Sequence, residues 1–134
     1  MKAKAIIERG VDGTFDVNMR FIKSVPFGLL GQGKTVVEAK ADFYNSYDEI
    51  RALYEKEGKN CPELEFEFEY DTSSFIQYHA YAFTLAGLER ITGINQKQLG
   101  HYATGIRKPS EKTIRKIESS VQAFGREISS VSFV

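Results

Sequence analysis

The densest set of side chains able to make directional hydrogen bonds to a polyanion lies between Thr84 and Ser110. There Asn95, Gln96, Lys97, Gln98 and His101 are followed by the basic pair Arg107-Lys108. A glutamine amide can bond an adenine edge in two places, a lysine can reach guanine or a phosphate, and small Gly100 lets a helix lie close to a groove floor. Arg107 and Lys108 stand where phosphate contacts would hold such a helix in register. We take Asn95, Gln96, Lys97, Gln98, His101, Arg107 and Lys108 as candidate DNA-facing residues. Residue types alone also allow these to be the polar face of a plain helical bundle.

The elements that must position these residues are helical. From Thr72 to about Gly125 the apolar residues recur with a period near 3.6. Phe75, Tyr78 and Ala82 stripe a first helix, and Thr84 caps a second carrying Leu85, Leu88 and Ile91. Gly93 ends that helix in a tight turn, and Asn95 caps a third with Leu99 and Tyr102 on its inner side. Gly105 stops the third helix. Pro109-Ser110 starts a fourth, with Ile114, Ile117, Val121 and Phe124 on one face. Residues 128 to 134 either extend it or turn into a strand. Two short helices joined by Gly93-Ile94-Asn95 have the spacing by which a second helix packs across a first and presents its outer face.

The first half has a different period. Lys4 to Glu8 and Thr14 to Phe21, separated by Gly10-Val11-Asp12-Gly13, read as a hairpin, with Phe15, Val17, Met19 and Phe21 inward. Phe27 to Leu30 is a third short strand. Thr35 and Glu38 form a capping box for a helix whose apolar positions are Val37, Ala41, Tyr44, Tyr47, Ile50 and Tyr54, ending at Gly58. Glu63 to Tyr70 alternates strictly, as a strand with one wet face in a half-exposed antiparallel sheet. The expected fold class is α+β, with a β-β-β-α-β domain over residues 1–71 followed by an all-α domain over residues 72–134.

Other chemistry is poorly supplied. Gly28-Leu29-Leu30-Gly31-Gln32-Gly33-Lys34-Thr35 satisfies the phosphate-loop pattern, which would aim backbone N–H groups and Lys34 at a nucleotide while Thr35 holds magnesium. Its surroundings lack the doubly buried parallel sheet and the later Asp that this chemistry requires. Turn and helix cap are the simpler reading, and a nucleotide-binding protein stays a remote alternative. His79 and His101 have no i, i+4 partner for a metal, and nothing pairs Cys61 with a base. We therefore expect no catalytic residues, no metal, no cofactor and no enzyme activity. Glu63, Glu65, Glu67 and Glu69 read as a solvated strand face that discourages strand-to-strand aggregation.

The chain has 134 residues with 18 basic and 18 acidic side chains. That balance disfavours a generic polyanion binder only if charge is evenly spread, and it is not. Residues 1–71 hold 10 basic against 14 acidic and residues 72–134 hold 8 against 4, so the halves carry −4 and +4. A single cysteine excludes an internal disulfide. No apolar run reaches the roughly 18 residues of a membrane span, and the first residues lead into a strand rather than a signal-peptide core. The expectation is a cytoplasmic protein with no membrane partner.

Two resemblances follow from these residues. Thr84 to Ser110, with Gly93-Ile94-Asn95 and the ending Tyr102-Ala103-Thr104-Gly105-Ile106-Arg107-Lys108-Pro109-Ser110, resembles the phage-repressor (XRE-type) helix-turn-helix. It departs from that pattern at Leu85, where the family usually has a phosphate-contacting Gln, and at Glu89, where it has a small buried Ala. Over nearly its whole length the chain resembles HicB-family type II antitoxins with a C-terminal helix-turn-helix. The match includes Pro26-Phe27-Gly28-Leu29 and Gly33-Lys34-Thr35-Val36-Val37-Glu38-Ala39. The resemblance implies a first domain like a reduced RNase H fold that masks a HicA-like mRNA-cleaving toxin, and a second domain that binds operator DNA and represses the operon. A solitary helix-turn-helix regulator without a toxin would share the DNA surface. Reading two half-sites implies a homodimer or dimer of dimers, for which Phe124, Ile128, Val131 and Phe133 are candidate contacts.

Overall fold

Alternation of small or apolar residues with charged ones makes Lys2–Arg9 a strand, β1, with Ala3, Ala5 and Ile7 buried and Lys2, Lys4 and Glu8 in water. The computed structural model describes all residues from Met1 to Val134, and the chain divides into two compact units, Met1–Ser74 and Phe75–Val134. The first unit continues with β2 (Phe15–Met19), β3 (Leu30–Gly33), α1 (Val36–Lys56) and β4 (Glu65–Tyr70). Helix α2 (Thr72–Tyr78) runs through the division, three residues beyond the Asp71 boundary suggested by charge and period. A 3₁₀ turn (His79–Tyr81), α3 (Leu85–Thr92), α4 (Gln96–Thr104) and α5 (Glu111–Ser129) complete the second unit. No helix is long and apolar enough to cross a membrane.

The four strands form one mixed sheet in the order β3-β2-β1-β4. β1 and β2 are an antiparallel hairpin with Ile7 opposite Val17. Its turn is held by Asp12, whose carboxylate accepts from the Thr14 hydroxyl and N–H at 2.7 and 3.1 Å. Those bonds, the hydroxyl's first, keep the Asp12 carboxyl below its usual range. β4, expected in an antiparallel sheet, instead runs parallel to β1, with Ala3, Ala5 and Ile7 beside Phe66, Phe68 and Tyr70. The 21-residue helix α1 supplies the long crossover that a parallel pair needs. Strict alternation misleads here because the sheet faces water on one side, so even a parallel strand keeps a wet row.

On that wet side Lys2 bridges Glu67 at 2.9 Å and Lys4 bridges Glu69. The hydrogen bond from Lys2, with its charge, holds the Glu67 carboxyl below its ordinary range, and Glu67 raises Lys2 in return. The Glu67 contribution is therefore present at neutral pH and lost as pH falls through its lowered value. That of Lys2 is lost only as pH rises through its raised one. Both groups are exposed and the pair is worth little in stability.

Two further differences from the sequence reading share one cause. β3 comprises Leu30–Gly33, not Phe27 to Leu30, and the buried face of α1 is Val36, Ala39, Phe43 and Tyr47, while Val37 is 74% exposed and Tyr44 44% exposed. A Cβ on Gly31 would fall 2.6 Å from Phe43 Cβ and closer still to the Ala39 carbonyl and Phe43 nitrogen. One on Gly33 would fall 2.6 Å from the Ala39 nitrogen. The helix backbone thus lies directly on two strand glycines, and this contact selects the Ala39 stripe over the competing Val37 one. Past it, Phe43 packs edge-on against Phe66 (4.8 Å) and Phe68 (5.8 Å). Tyr47 donates to the Pro62 carbonyl at 2.8 Å and accepts from the Leu64 N–H at 2.9 Å, pinning the approach to β4. Phe21, expected inward, is 88% exposed because β2 ends at Met19.

Substituting Gly31 by Ala should lower unfolding stability by roughly 3 kcal/mol or more, since backbone rather than a side-chain tip blocks the added methyl. Gly28→Ala, with nothing within 4 Å of its Cβ position, should change it by less than about 0.5 kcal/mol. Urea titration of both variants checks the contrast.

Candidate nucleic-acid interface

In the second unit, local capping sets where each helix begins and ends. Thr84 accepts from the Gly87 N–H at 2.9 Å to start α3, and Gly93, left-handed at φ +74°, ends it. Only glycine adopts that conformation without strain. Asn95 Oδ1 then accepts from the Lys97 N–H at 2.8 Å, so three residues, Gly93 to Asn95, separate α3 from α4. Thr92 locks the turn from inside: its buried hydroxyl donates to the Leu88 carbonyl and accepts from the Ile94 N–H. A second left-handed glycine, Gly105, ends α4, and Ser110 caps α5 by accepting from the Thr113 N–H. Leu88, Leu99, Tyr102, Ile76 and Ile117 form the core under these helices, flanked by Phe75, Phe83, Ile94, Ala103 and Val121.

Because Leu99 and Tyr102 face the core, helical geometry turns Lys97 and Thr104 outward. Gln96 is exposed at the start of this face, and Asn95 is exposed with its oxygen engaged in the cap. His101 is half-buried, with Nδ1 enclosed and unpartnered, which leaves Nε2 as the ring nitrogen able to meet a ligand. Gln98 sits at the edge: half-buried, it donates to the Tyr102 hydroxyl at 2.9 Å. Gly100 was expected on the outer face, but a Cβ there would meet Leu85 Cδ1 at 3.4 Å, so it lies under the first residue of α3. Leu85 thereby makes an apolar contact between α3 and α4.

Arg107 and Lys108 are exposed in the loop after α4, and the Arg107 N–H donates to the His101 carbonyl at 3.2 Å. Lys97, Arg107 and Lys108 belong to none of the ion pairs; in this unit only Arg115 is neutralised, by Glu111 and Glu118. Three features were missed from sequence. Thr104 shares the outer face with Lys97. Ile106 is 70% exposed between α4 and the basic pair. Lys116 reaches within 3.8 Å of the Cβ position of Gly93, adding positive charge beside the turn. Thr104 was legible from its seven-residue spacing to Lys97, whereas Lys116 required knowing how α5 packs.

The remaining candidates lie elsewhere. Phe124 is half-buried, edge-on to Phe83 at 5.8 Å, while Ile128, Val131 and Phe133 are exposed, the last two beyond the end of α5 at Ser129. The phosphate-loop match falls across β3, where Gly31 and Gly33 are pressed on α1 and the Lys34 N–H donates to the Glu38 carboxylate, the place an anion would need. No three His, Cys, Asp or Glu side chains are grouped to hold a metal ion. Compared with protein-family models, curated proteins and solved structures, the chain gives no match in any of the three.

Proposed function

We propose that the second unit binds duplex DNA through the outer face of α4 and that the protein is a transcriptional regulator of antitoxin type, as its resemblance to HicB-family antitoxins implies. The observation carrying this reading is the juxtaposition of a nine-residue capped helix exposing Gln96, Lys97 and Thr104 with the unpaired Arg107 and Lys108 that follow it. In this arrangement Gln96 and Lys97 read base edges, Arg107 and Lys108 hold phosphates, and His101 Nε2 meets an acceptor on a base or the backbone. Gln98 orients α4 through Tyr102 more than it reads DNA.

The first unit, with its −4 charge, masks a HicA-like RNA-cleaving toxin, whose basic substrate-binding surface an acidic partner complements. Nothing catalytic is assigned to either unit.

Gel-shift titration on the DNA upstream of its own gene tests the first part. Lys108→Ala should weaken binding to every sequence and reduce the log–log salt slope by about 0.9. Gln96→Ala should cost about 1 to 3 kcal/mol on the operator alone. Equal affinity of the unaltered protein for operator and unrelated DNA would remove the reading. For the second part, co-expression with a neighbouring frame of roughly 60 to 80 residues should yield a complex that co-purifies and blocks RNA cleavage. If no such partner is found while operator binding holds, the protein is a solitary regulator.

A further inference from the structure

The two edges of the sheet are finished differently. On the β3 side, Leu29, Gly31 and Gly33 face β2, which turns the backbone groups of Leu30, Gln32 and Lys34 outward. Helix α1 supplies a side chain to each of these three residues. Ser46 donates to the Leu30 carbonyl at 2.7 Å, the Asp42 carboxylate accepts from the Gln32 N–H at 2.9 Å, and the Glu38 carboxylate accepts from the Lys34 N–H at 2.8 Å. Four residues of helix advance about 6 Å and two of strand about 6.7 Å, so Glu38, Asp42 and Ser46 stay in step with alternate strand residues. The other edge is β4. There the Glu65 N–H bonds the Met1 carbonyl and the Asp71 N–H the Ile7 carbonyl, so the backbone groups of Phe66 and Phe68 point away from β1. On this flank α1 offers Lys40, 4.6 Å over the Phe68 ring, and Tyr44, edge-on to Phe66 and Phe68. Both rest on rings and neither closes the strand's backbone groups.

We propose that the open edge of β4 takes an added strand from an unlike protein, an extended segment in which lysine or arginine alternates with apolar residues. The glutamates select it. Lys2, Lys4 and Arg20 answer Glu67 and Glu69 from the β1 side, Glu65 belongs to no ion pair, and the outer side of the row has no cation. The β4 strand of a second copy would bring glutamate against glutamate, and like charges opposite each other in a sheet are destabilising. A cationic row instead continues the change of sign from β1 to β4. The alternate, apolar residues of the added strand fall on the α1 face beside Phe66, Phe68 and Tyr44. Main-chain bonds then supply affinity and the alternation supplies selectivity. This placement rests on the reading that the first unit holds a protein partner.

Amide hydrogen exchange of the full chain, read residue by residue by NMR with a capped peptide of about ten residues alternating lysine and valine, tests it. In the free chain the Phe66 and Phe68 amides should exchange quickly and those of Glu67 and Glu69 slowly. Saturating peptide should slow Phe66 and Phe68 at least about tenfold and leave Gln32 and Lys34 unchanged. The same peptide N-methylated throughout keeps its charges but cannot pair along a strand, and it should give no protection. The double variant Glu65→Lys, Glu67→Lys, folded by circular dichroism because both positions are exposed, should bind the peptide at least about tenfold more weakly and prefer one with glutamate in place of lysine. Unchanged exchange at Phe66 and Phe68, equal protection by the glutamate or N-methylated peptide, or protection in the free chain that grows with its own concentration would each overturn the proposal; the last would assign the edge to a second copy. If a co-expressed partner co-purifies while Phe66 and Phe68 still exchange quickly in the complex, masking of that partner stands and this surface falls. If no partner co-purifies and the peptide results hold, the surface stands without a toxin.

Discussion

The contact on which the first unit depends is the seating of α1 directly upon the backbone of β3. At Gly31 and Gly33 the helix comes too close for any side chain, even a methyl, to stand between the two backbones. Close packing of this kind fixes the helix rotation as well as its distance, because only the stripe bearing Ala39 can occupy the gap. Rotation in turn decides that Phe43 meets Phe66 and Phe68 and that Tyr47 reaches the Pro62 carbonyl and Leu64 N–H. The parallel placement of β4 against β1 is thus set up from the far edge of the sheet.

The second unit depends on punctuation more than on close approach. Its helices α3 and α4 are eight and nine residues long, too short to be stable alone. Each starts on a side-chain cap and ends on a left-handed glycine, and between them Thr92 satisfies the turn's polar groups from inside. The small core of Ile76, Leu88, Leu99, Tyr102 and Ile117 then holds helices whose lengths are already determined. What remains exposed on α4 is polar and cationic because the apolar positions are used inward.

Element types and caps were readable because they rest on local chemistry. Thr35, Thr84, Asn95 and Ser110 all cap as their sequence neighbours require. Errors arose where tertiary contact chose between locally equal options. Val37 and Ala39 head rival stripes on α1, and only the glycines opposite decide between them. The same glycines hid β3, since glycine weakens a strand unless another backbone must approach it. On α4, the inward positions Leu99 and Tyr102 were plain, but Gly100 under Leu85 and Gln98 bonded to Tyr102 depend on neighbours that spacing cannot supply.

The parallel pairing of β1 with β4 also orders events in time. The first residue's amino group bonds the Glu63 carbonyl, 62 positions away, so the β1 edge has no partner on that side until α1 and its following loop have been made. During synthesis the hairpin of β1 and β2 can close early, while the far side of β1 waits for nearly the whole first unit. Until β4 arrives, the small and apolar residues Ala3, Ala5 and Ile7 lie along an open strand. This interval is when a nascent chain is most open to a protease or to capture by another strand.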